Sequence, residues 1–478
     1  MSEAMHTAPE VPHTPPRVMG VADLALFYVV TGVSLRWIAV AAALGPSALV
    51  VWLGALLCFY LPLALAVVEL SSRYPQEGGL YVWTRQAFGP FAGFMAGWSY
   101  FTSNLPYFPS LFYFDAGNAL YIGGARWAYL HDSPAFFMGF ALVALGGIAA
   151  VNICGLRFGK WLHNIGAIGV WLPAGVVVVL GAVAWWRFGS ATRFDAASLR
   201  PALGLDQMVS WAGLAFALSG AETASFMSGE IRDPRRTIPR ALPIAGAAIV
   251  ACYGLGTLAV LLAMPASAVD SLQGLIQAGA VAAGRVGAGW LVVPLALLIT
   301  LGNLGAASGF LSSCARIPFA VGIDHLLPPA FARVHPRWGT PHVALGLMAG
   351  LGAVFCVLGQ AGTGVEGAYQ VLVSMGIIAA FLPFLLVFGA VVALQREPAG
   401  PGVFRLPGGS ASSIAVACVG FATTLACVVL AAFPAPGEAH KALAVGKIAA
   451  MTALLLGGGA ALYGLGRRRQ RAAGARGA

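Results

Sequence analysis

Polar and apolar positions alternate along this chain on the scale of whole segments rather than of single residues. Runs of about twenty mostly apolar residues, the length needed to cross a bilayer as a helix, recur from end to end, separated by short polar stretches often marked by Gly or Pro. They fall at about 22–44, 47–71, 86–114, 134–154, 161–186, 207–228, 240–264, 286–314, 342–359, 366–394, 411–433 and 442–465. The pattern predicts an all-α polytopic membrane protein of about 12 transmembrane helices.

Composition agrees with the pattern. The 478 residues are 59% hydrophobic and 9% charged, against about 25% charged in a soluble domain. An even number of spans puts both termini on one side, and cationic residues choose the side, because cytoplasmic loops retain them. Of the 27 Lys and Arg, 19 fall on the side of the termini and seven on the other, with Arg36 inside a span. The expectation is a multi-pass protein of the cell (inner) membrane with cytoplasmic termini. The net charge of +10 is thereby explained by orientation and lipid-surface contact, without nucleic acid.

The first twenty residues, rich in Pro, His and Thr, carry no apolar run and are expected to form a disordered tail. The seven cysteines are scattered without a CxxC pair, and the histidines show no ligand spacing. No metal, cofactor or enzyme motif is therefore expected. Gly254-x-Gly256 sits inside an apolar helix with no strand before it, so it is not a dinucleotide fingerprint.

Two spans contain weak points. The sixth carries Ser219-Gly220 followed by Glu222; the first carries Thr31-Gly32 near its middle. They stand five helices apart, and interrupted segments at matching places in two halves point to a transporter built from inverted repeats. An unwound stretch is tolerated in the membrane only where it lines a cavity. There its amides and half-helix N-termini suit a carboxylate, and its carbonyls suit an ammonium group. The competing reading is close packing, since glycine is common in membrane helices, as in the run Gly89, Gly93, Gly97.

Ionisable residues inside a span are functional hypotheses. Glu222 is read in two ways: as a fixed acceptor for amides freed at the break, or as a group that couples transport to protons. Arg36 is read as one half of a structural ion pair or an outward snorkel, against direct contact with an acidic substrate. Glu69 is expected to be an interfacial residue that joins Arg73 or the following loop at the inner end of the second span. Asp233, Arg232, Arg235 and Arg236 are candidates for a weak cytoplasmic latch.

Four blocks resemble the amino acid–polyamine–organocation superfamily of transporters, in its bacterial amino acid permease branch: AVVELSSRYPQEGGLYVWTRQAFGPFAGFMAGW (66–98), FALSGAETASFMSGEIRDPRRTIPRA (216–241), ARIPFAVGIDHLLPPAFARVHPRWGTPHVAL (315–345) and REPAGPGVFRLPGG (396–409). The resemblance implies the LeuT-type 5+5 inverted repeat plus two C-terminal helices. The tail 1–20 would be followed by a first repeat at 21–190, a second at 191–395, two helices at 396–466 and a basic tail at 467–478. It further implies alternating access and transport of amino acids or related amines by symport or exchange, and substrate contacts at Thr31, Gly32, Val33 and Ser34 in helix one, Asn104 and Phe108 in helix three, Phe216, Ala217, Leu218, Ser219 and Gly220 in helix six, Phe310 in helix eight and Ser374 in helix ten. Glu222 and Arg36 are assigned to coupling or gating. The family's G-[ST]-G run is altered here to Thr31-Gly32-Val33-Ser34. Helix five (164–179) carries no lysine of the kind some proton-coupled relatives have.

The expected partners are a small amino acid or amine and the lipid bilayer. The residues leave the coupling ion open: protons are one candidate, and sodium, through Ser308, Ser312 or Ser313, is the less favoured one. A neutral amino acid is the first reading. Exchange of acidic amino acids, polyamine or amine import, and a transporter-like amino acid sensor are the alternatives. The residues do not specify an oligomeric state.

Overall fold

The computed structural model describes residues 19–76, 78–315, 326, 330, 333–398, 400, 402–434 and 440–477; side chains at 156–165, 167, 227–230, 313 and 473–477 lie outside the description. The N-terminal tail up to 18, Ser313, and much of the block 315–345 therefore fall outside the described residues. Among the described residues the regular structure is helical, apart from an isolated bridge between Met19 and Ile231.

The first interrupted span consists of α1 (Val21–Gly32) and α2 (Arg36–Ala43), which meet at a bend of 59°. Next come α3 (Ser47–Arg73), α4 (Leu80–Phe88), α5 (Pro90–Thr102), α6 (Asn104–Gly123), α7 (Pro134–Ile153), α8 (Leu156–Phe188) and α9 (Leu205–Ala217). A 3₁₀ helix at Thr223–Glu230 leads to α10 (Pro234–Ala263), α11 (Gly274–Arg285), α12 (Val292–Cys314), α13 (His342–Gln360), α14 (Val365–Leu394), α15 (Gly409–Ala431) and α16 (Lys441–Gly477). Among the described residues nine helices are long and apolar enough to cross a membrane, or ten if the bent pair α1–α2 is counted as one span.

Proline and glycine set the joints. Pro90 opens α5 directly after Gly89, whose φ of +89° only glycine adopts freely. The sequence pattern predicted one span at 86–114; the helix instead starts at Pro90 and, through α6, continues to Gly123. Pro106 lacks an N–H to bond the carbonyl four residues back, and the chain turns at Ser103 between α5 and α6. In α3 a π turn at Leu56–Tyr60 directs the Tyr60 hydroxyl to donate to the Leu242 carbonyl of α10 at 2.8 Å.

Small residues let helices touch where they cross. A Cβ on Gly302 of α12 would lie 2.3 Å from the carbonyl carbon of Gly169 in α8, and one on Gly166 would lie 2.5 Å from the backbone of Gly305 and Ala306. Backbone therefore meets backbone between α8 and α12. Of the Gly89–Gly97 run predicted as such a seam, Gly89 is instead a joint, while Gly93 does meet backbone, with an added Cβ 3.0 Å from Arg85 Cα and from the Tyr81 carbonyl oxygen of α4. At the inner end of α3, Glu69 meets Arg73 at 3.6 Å and accepts from Gln395 of α14. Tyr74 donates to Glu397 at 2.5 Å; its burial, then this bond, push the phenol up to about 12. Asp233 and Arg236 form an exposed pair at 3.5 Å.

Candidate functional site

At the first break, the three residues Val33, Ser34 and Leu35 separate α1 from α2. The Ser34 N–H donates to the Tyr253 hydroxyl of α10 at 3.0 Å. That hydroxyl's own proton is shared between the carbonyls of Gly32 (3.0 Å) and Ala217 (3.3 Å). Gly32 and Ala217 end α1 and α9, where helix carbonyls lack intrahelical partners. One phenol thus joins both breaks, held by stacking on Trp52 at 4.6 Å, itself bonded to Thr257 at 3.1 Å.

At the second break the chain closes with tight turns, Leu218 N–H to Ala215 and Ser219 N–H to Phe216. Gly220 takes φ +121°. Its freed N–H donates to Glu222 Oε2 at 3.0 Å, while Tyr100 of α5 donates to Glu222 Oε1 at 2.9 Å. Glu222 is buried at 2% exposure, so its two donors supply the partners that a buried carboxylate requires.

Between the breaks lies a cavity of about 620 Å³ counting its open mouth. Its polar lining comes from Thr31, Ser34, Ser103, Asn104, Ser219, Glu222 and Thr223, with backbone at Gly32, Ala217 and Gly220. Trp37, Tyr107, Phe216, Phe310 and Phe384 supply aromatic walls. Trp37 meets Phe216 edge-on at 5.8 Å, and Tyr107 meets Phe310 at 5.5 Å. Pro383 keeps α14 from bonding through at this level, next to lining residues Ala380 and Phe384.

Of the residues assigned from sequence, Thr31, Gly32, Ser34, Asn104, Phe216, Ala217, Ser219, Gly220, Phe310 and Glu222 line this one cavity. Val33, Leu218 and Phe108 are buried behind it, Phe108 against Phe310 at 6.0 Å. Ser374 is buried in α14 outside the lining. Arg36 is also outside it. Its side chain neither snorkels nor forms an ion pair among the described residues: at 1% exposure it donates to Ser110 at 2.8 Å and lies over Trp37 at 4.5 Å and Tyr107 at 4.8 Å. Sequence reading missed Trp37, Tyr100, Ser103, Tyr107 and Thr223. It also missed Tyr253 and the fully buried Asp115 of α6.

The family model described as "Amino acid permease" matches residues 18–456, most of the chain. The chain belongs to this family. It is 29% identical to an uncharacterised transporter of Legionella pneumophila over 428 residues, 87% of this chain and 90% of that protein. It is 24% identical to the serine/threonine exchanger SteT of Bacillus subtilis over 342 residues, 70% of this chain and 72% of SteT. It is 27% identical to the polyamine transporter PUT1 of Oryza sativa over 369 residues, 74% of this chain and 62% of PUT1. A membrane permease for amino acids or amines is the function these relationships support.

Proposed function

We propose that this permease carries a neutral amino acid across the cell membrane by alternating access, binding it between the two helix breaks. The observation that carries the reading is that one cavity is bounded by both breaks at once. The carbonyl ends of α1 and α9 face it through Gly32 and Ala217, where partial negative charge suits an ammonium group. The start of α2 faces it through Ser34, where partial positive charge suits a carboxylate. An α-amino acid presents both groups at the required short separation. The aromatic walls leave apolar space for its side chain.

The lining favours a neutral substrate over the alternatives. Arg36, the cation an acidic side chain would seek, lies behind Trp37 and Tyr107. A diamine needs anionic groups at both ends, and Glu222 is the one carboxylate of the lining. We read the interrupted pair α9 and the 3₁₀ helix, and the pair α5–α6, as spans. With these the chain has twelve, in the 5+5+2 arrangement, and the distribution of arginine puts both termini in the cytoplasm.

The test is uptake and counterflow in proteoliposomes with a panel of labelled amino acids, alongside a thermal-shift screen. A ligand that raises the melting temperature by mass action and is also accumulated or exchanged supports the reading. Binding without movement would make the protein a sensor and overturn it.

A further inference from the structure

Away from the cavity, on α6, lies a carboxylate that is not part of its lining. Asn104, Leu111, Asp115 and Asn118 recur along one face of this helix. Asn104 lines the cavity; Asp115 stands eleven residues farther on, about 16 Å at 1.5 Å per residue. Asp115 is 0% exposed. Its Oδ1 accepts from Asn303 of α12 at 2.7 Å, and its Oδ2 has no partner among the described residues. The same holds for two buried oxygens from the next turn outward on each helix, Asn118 Oδ1 and Thr300 Oγ1. Asn118 also donates to the Leu272 carbonyl, in the loop before α11. The unpartnered oxygens of Asp115, Thr300 and Asn118 thus lie on two packed helices, and Asn118 reaches that loop.

The counter-charge is Arg36. It is within Coulombic reach of Asp115 without touching it. Its guanidinium is held by Ser110 and two ring faces, and its Nε has no partner among the described residues. Arginine keeps its charge in a protein. A buried cation and a buried carboxylate that do not pair are costly, and protonation of the carboxylate relieves that cost. Arg36 opens α2, directly after the break, and its neighbour Trp37 is part of the cavity wall. A unit change of charge at Asp115 is therefore felt next to the cavity wall.

We propose that Asp115 is a proton-binding site of the transport cycle, with Arg36 as the counter-ion that transmits its occupancy to α2. When Asp115 is ionised, Arg36 is drawn from Ser110 toward it; when a proton arrives from the Asn118 side, the attraction ends and Arg36 rests on Ser110, as here. The proton leaves as the same carboxylate re-ionises. Besides Arg36, the titratable group that feels Asp115 is Tyr107 on α6; Tyr107 in turn acts on Tyr369 of α14, which also feels Glu366 and Asp270, and α7 brings no titratable group. This rests on the transport reading above.

The experiment is a pair of readouts on proteoliposomes: movement of labelled substrate and change of lumenal pH when substrate is added. Wild type should show both. Asp115→Asn should lose substrate-driven proton movement at least tenfold, while its substrate-induced melting shift stays within twofold; Asp115→Glu should recover part of the proton movement. Asn303→Leu, which leaves the carboxylate in place but removes its donor, should move the pH of half-maximal uptake up by about one unit. Proton movement by Asp115→Asn at the wild-type rate overturns the proposal, as does an unchanged pH profile in Asn303→Leu. Wild-type substrate flux with no proton movement, or flux that follows sodium instead, overturns it too and leaves the transport reading standing. A wild type that binds a ligand without moving it defeats the transport reading first.

Discussion

The Tyr253 hydroxyl accepts the Ser34 N–H at 3.0 Å while donating to the carbonyls that end α1 and α9. The two breaks are thus tied to each other through α10, and whatever moves one moves the other. Tyr253→Phe keeps the ring on Trp52 and removes only the oxygen. The Ser34 N–H, half-buried, then loses its partner, at a cost of about 1–3 kcal/mol. The expected outcome is a protein that folds, with a melting temperature lower by a few degrees, and with uptake reduced by tenfold or more because the breaks no longer hold a fixed spacing. Uptake and thermal melting on the same preparation check this; wild-type uptake with a lowered melting point would make the tie merely structural.

A second prediction concerns Glu222. Its two oxygens accept from Gly220 and Tyr100. Glu222→Gln leaves one acceptor oxygen and turns an N–H toward one of two donors. One of them is left facing a donor inside the protein, at a cost of about 1–3 kcal/mol. Tyr100→Phe removes a single bond and leaves Oε1 bare. Both variants should melt below wild type. The combined variant should cost less than the sum, because the two residues share one bond. A double-mutant cycle on melting temperature or denaturant midpoint measures this, and strict additivity would show that the carboxylate does not depend on Tyr100.

How far the site was legible follows from what each residue does. Thr31-Gly32 and Ser219-Gly220 announce themselves because residues that loosen a helix stand inside apolar runs, and Glu222 because hydrocarbon penalises it. Tyr253 gives no such signal: a tyrosine in an apolar helix reads as core until α1 and α9 are seen at its hydroxyl. Tyr100, Ser103 and Tyr107 were within reach, since they flank Asn104 at the spacing of one helix face. Asp115 escaped because the third span was ended at 114, one residue short of it; the helix runs on to Gly123. The segment pattern located the helices well because each is uniformly apolar. It failed at Gly89–Pro90, where turn chemistry inside an apolar stretch sets the boundary.

Glycine at two positions should be irreplaceable for different reasons. Gly220 needs its conformation: at φ +121° any residue with a Cβ is strained by about 1–3 kcal/mol, so Gly220→Ala should be destabilised whatever its neighbours are. Gly32 needs space. A Cβ there would lie 3.0 Å from Ile249 Cδ1 of α10. Gly32→Ala should therefore lose uptake and be partly rescued by Ile249→Val, which removes that methyl. No such second change should rescue Gly220→Ala. Uptake by the three variants and the rescue pair decides the matter; rescue at Gly220 by Ile249→Val would contradict this account.

The sharpest structural prediction lies away from the cavity, where Gly302 of α12 meets Gly169 of α8. A Cβ on Gly302 would come within 2.3 Å of the Gly169 backbone, and one on Gly169 within 2.3 Å of Gly302 Cα. Backbone cannot swing aside as a side chain can, so the two helices must separate by an ångström or more, which breaks close packing along their whole contact. In lipid that packing, rather than exclusion of water, is what holds helices together. Gly302→Ala and Gly169→Ala should therefore yield little monodisperse protein in detergent. Gly175→Ala, on α8 with nothing within 4 Å of the added atom, should behave as wild type. Fluorescence size-exclusion profiles of the three variants provide the measurement. A monodisperse Gly302→Ala with an unshifted melting point would mean that α8 and α12 do not approach as closely as described.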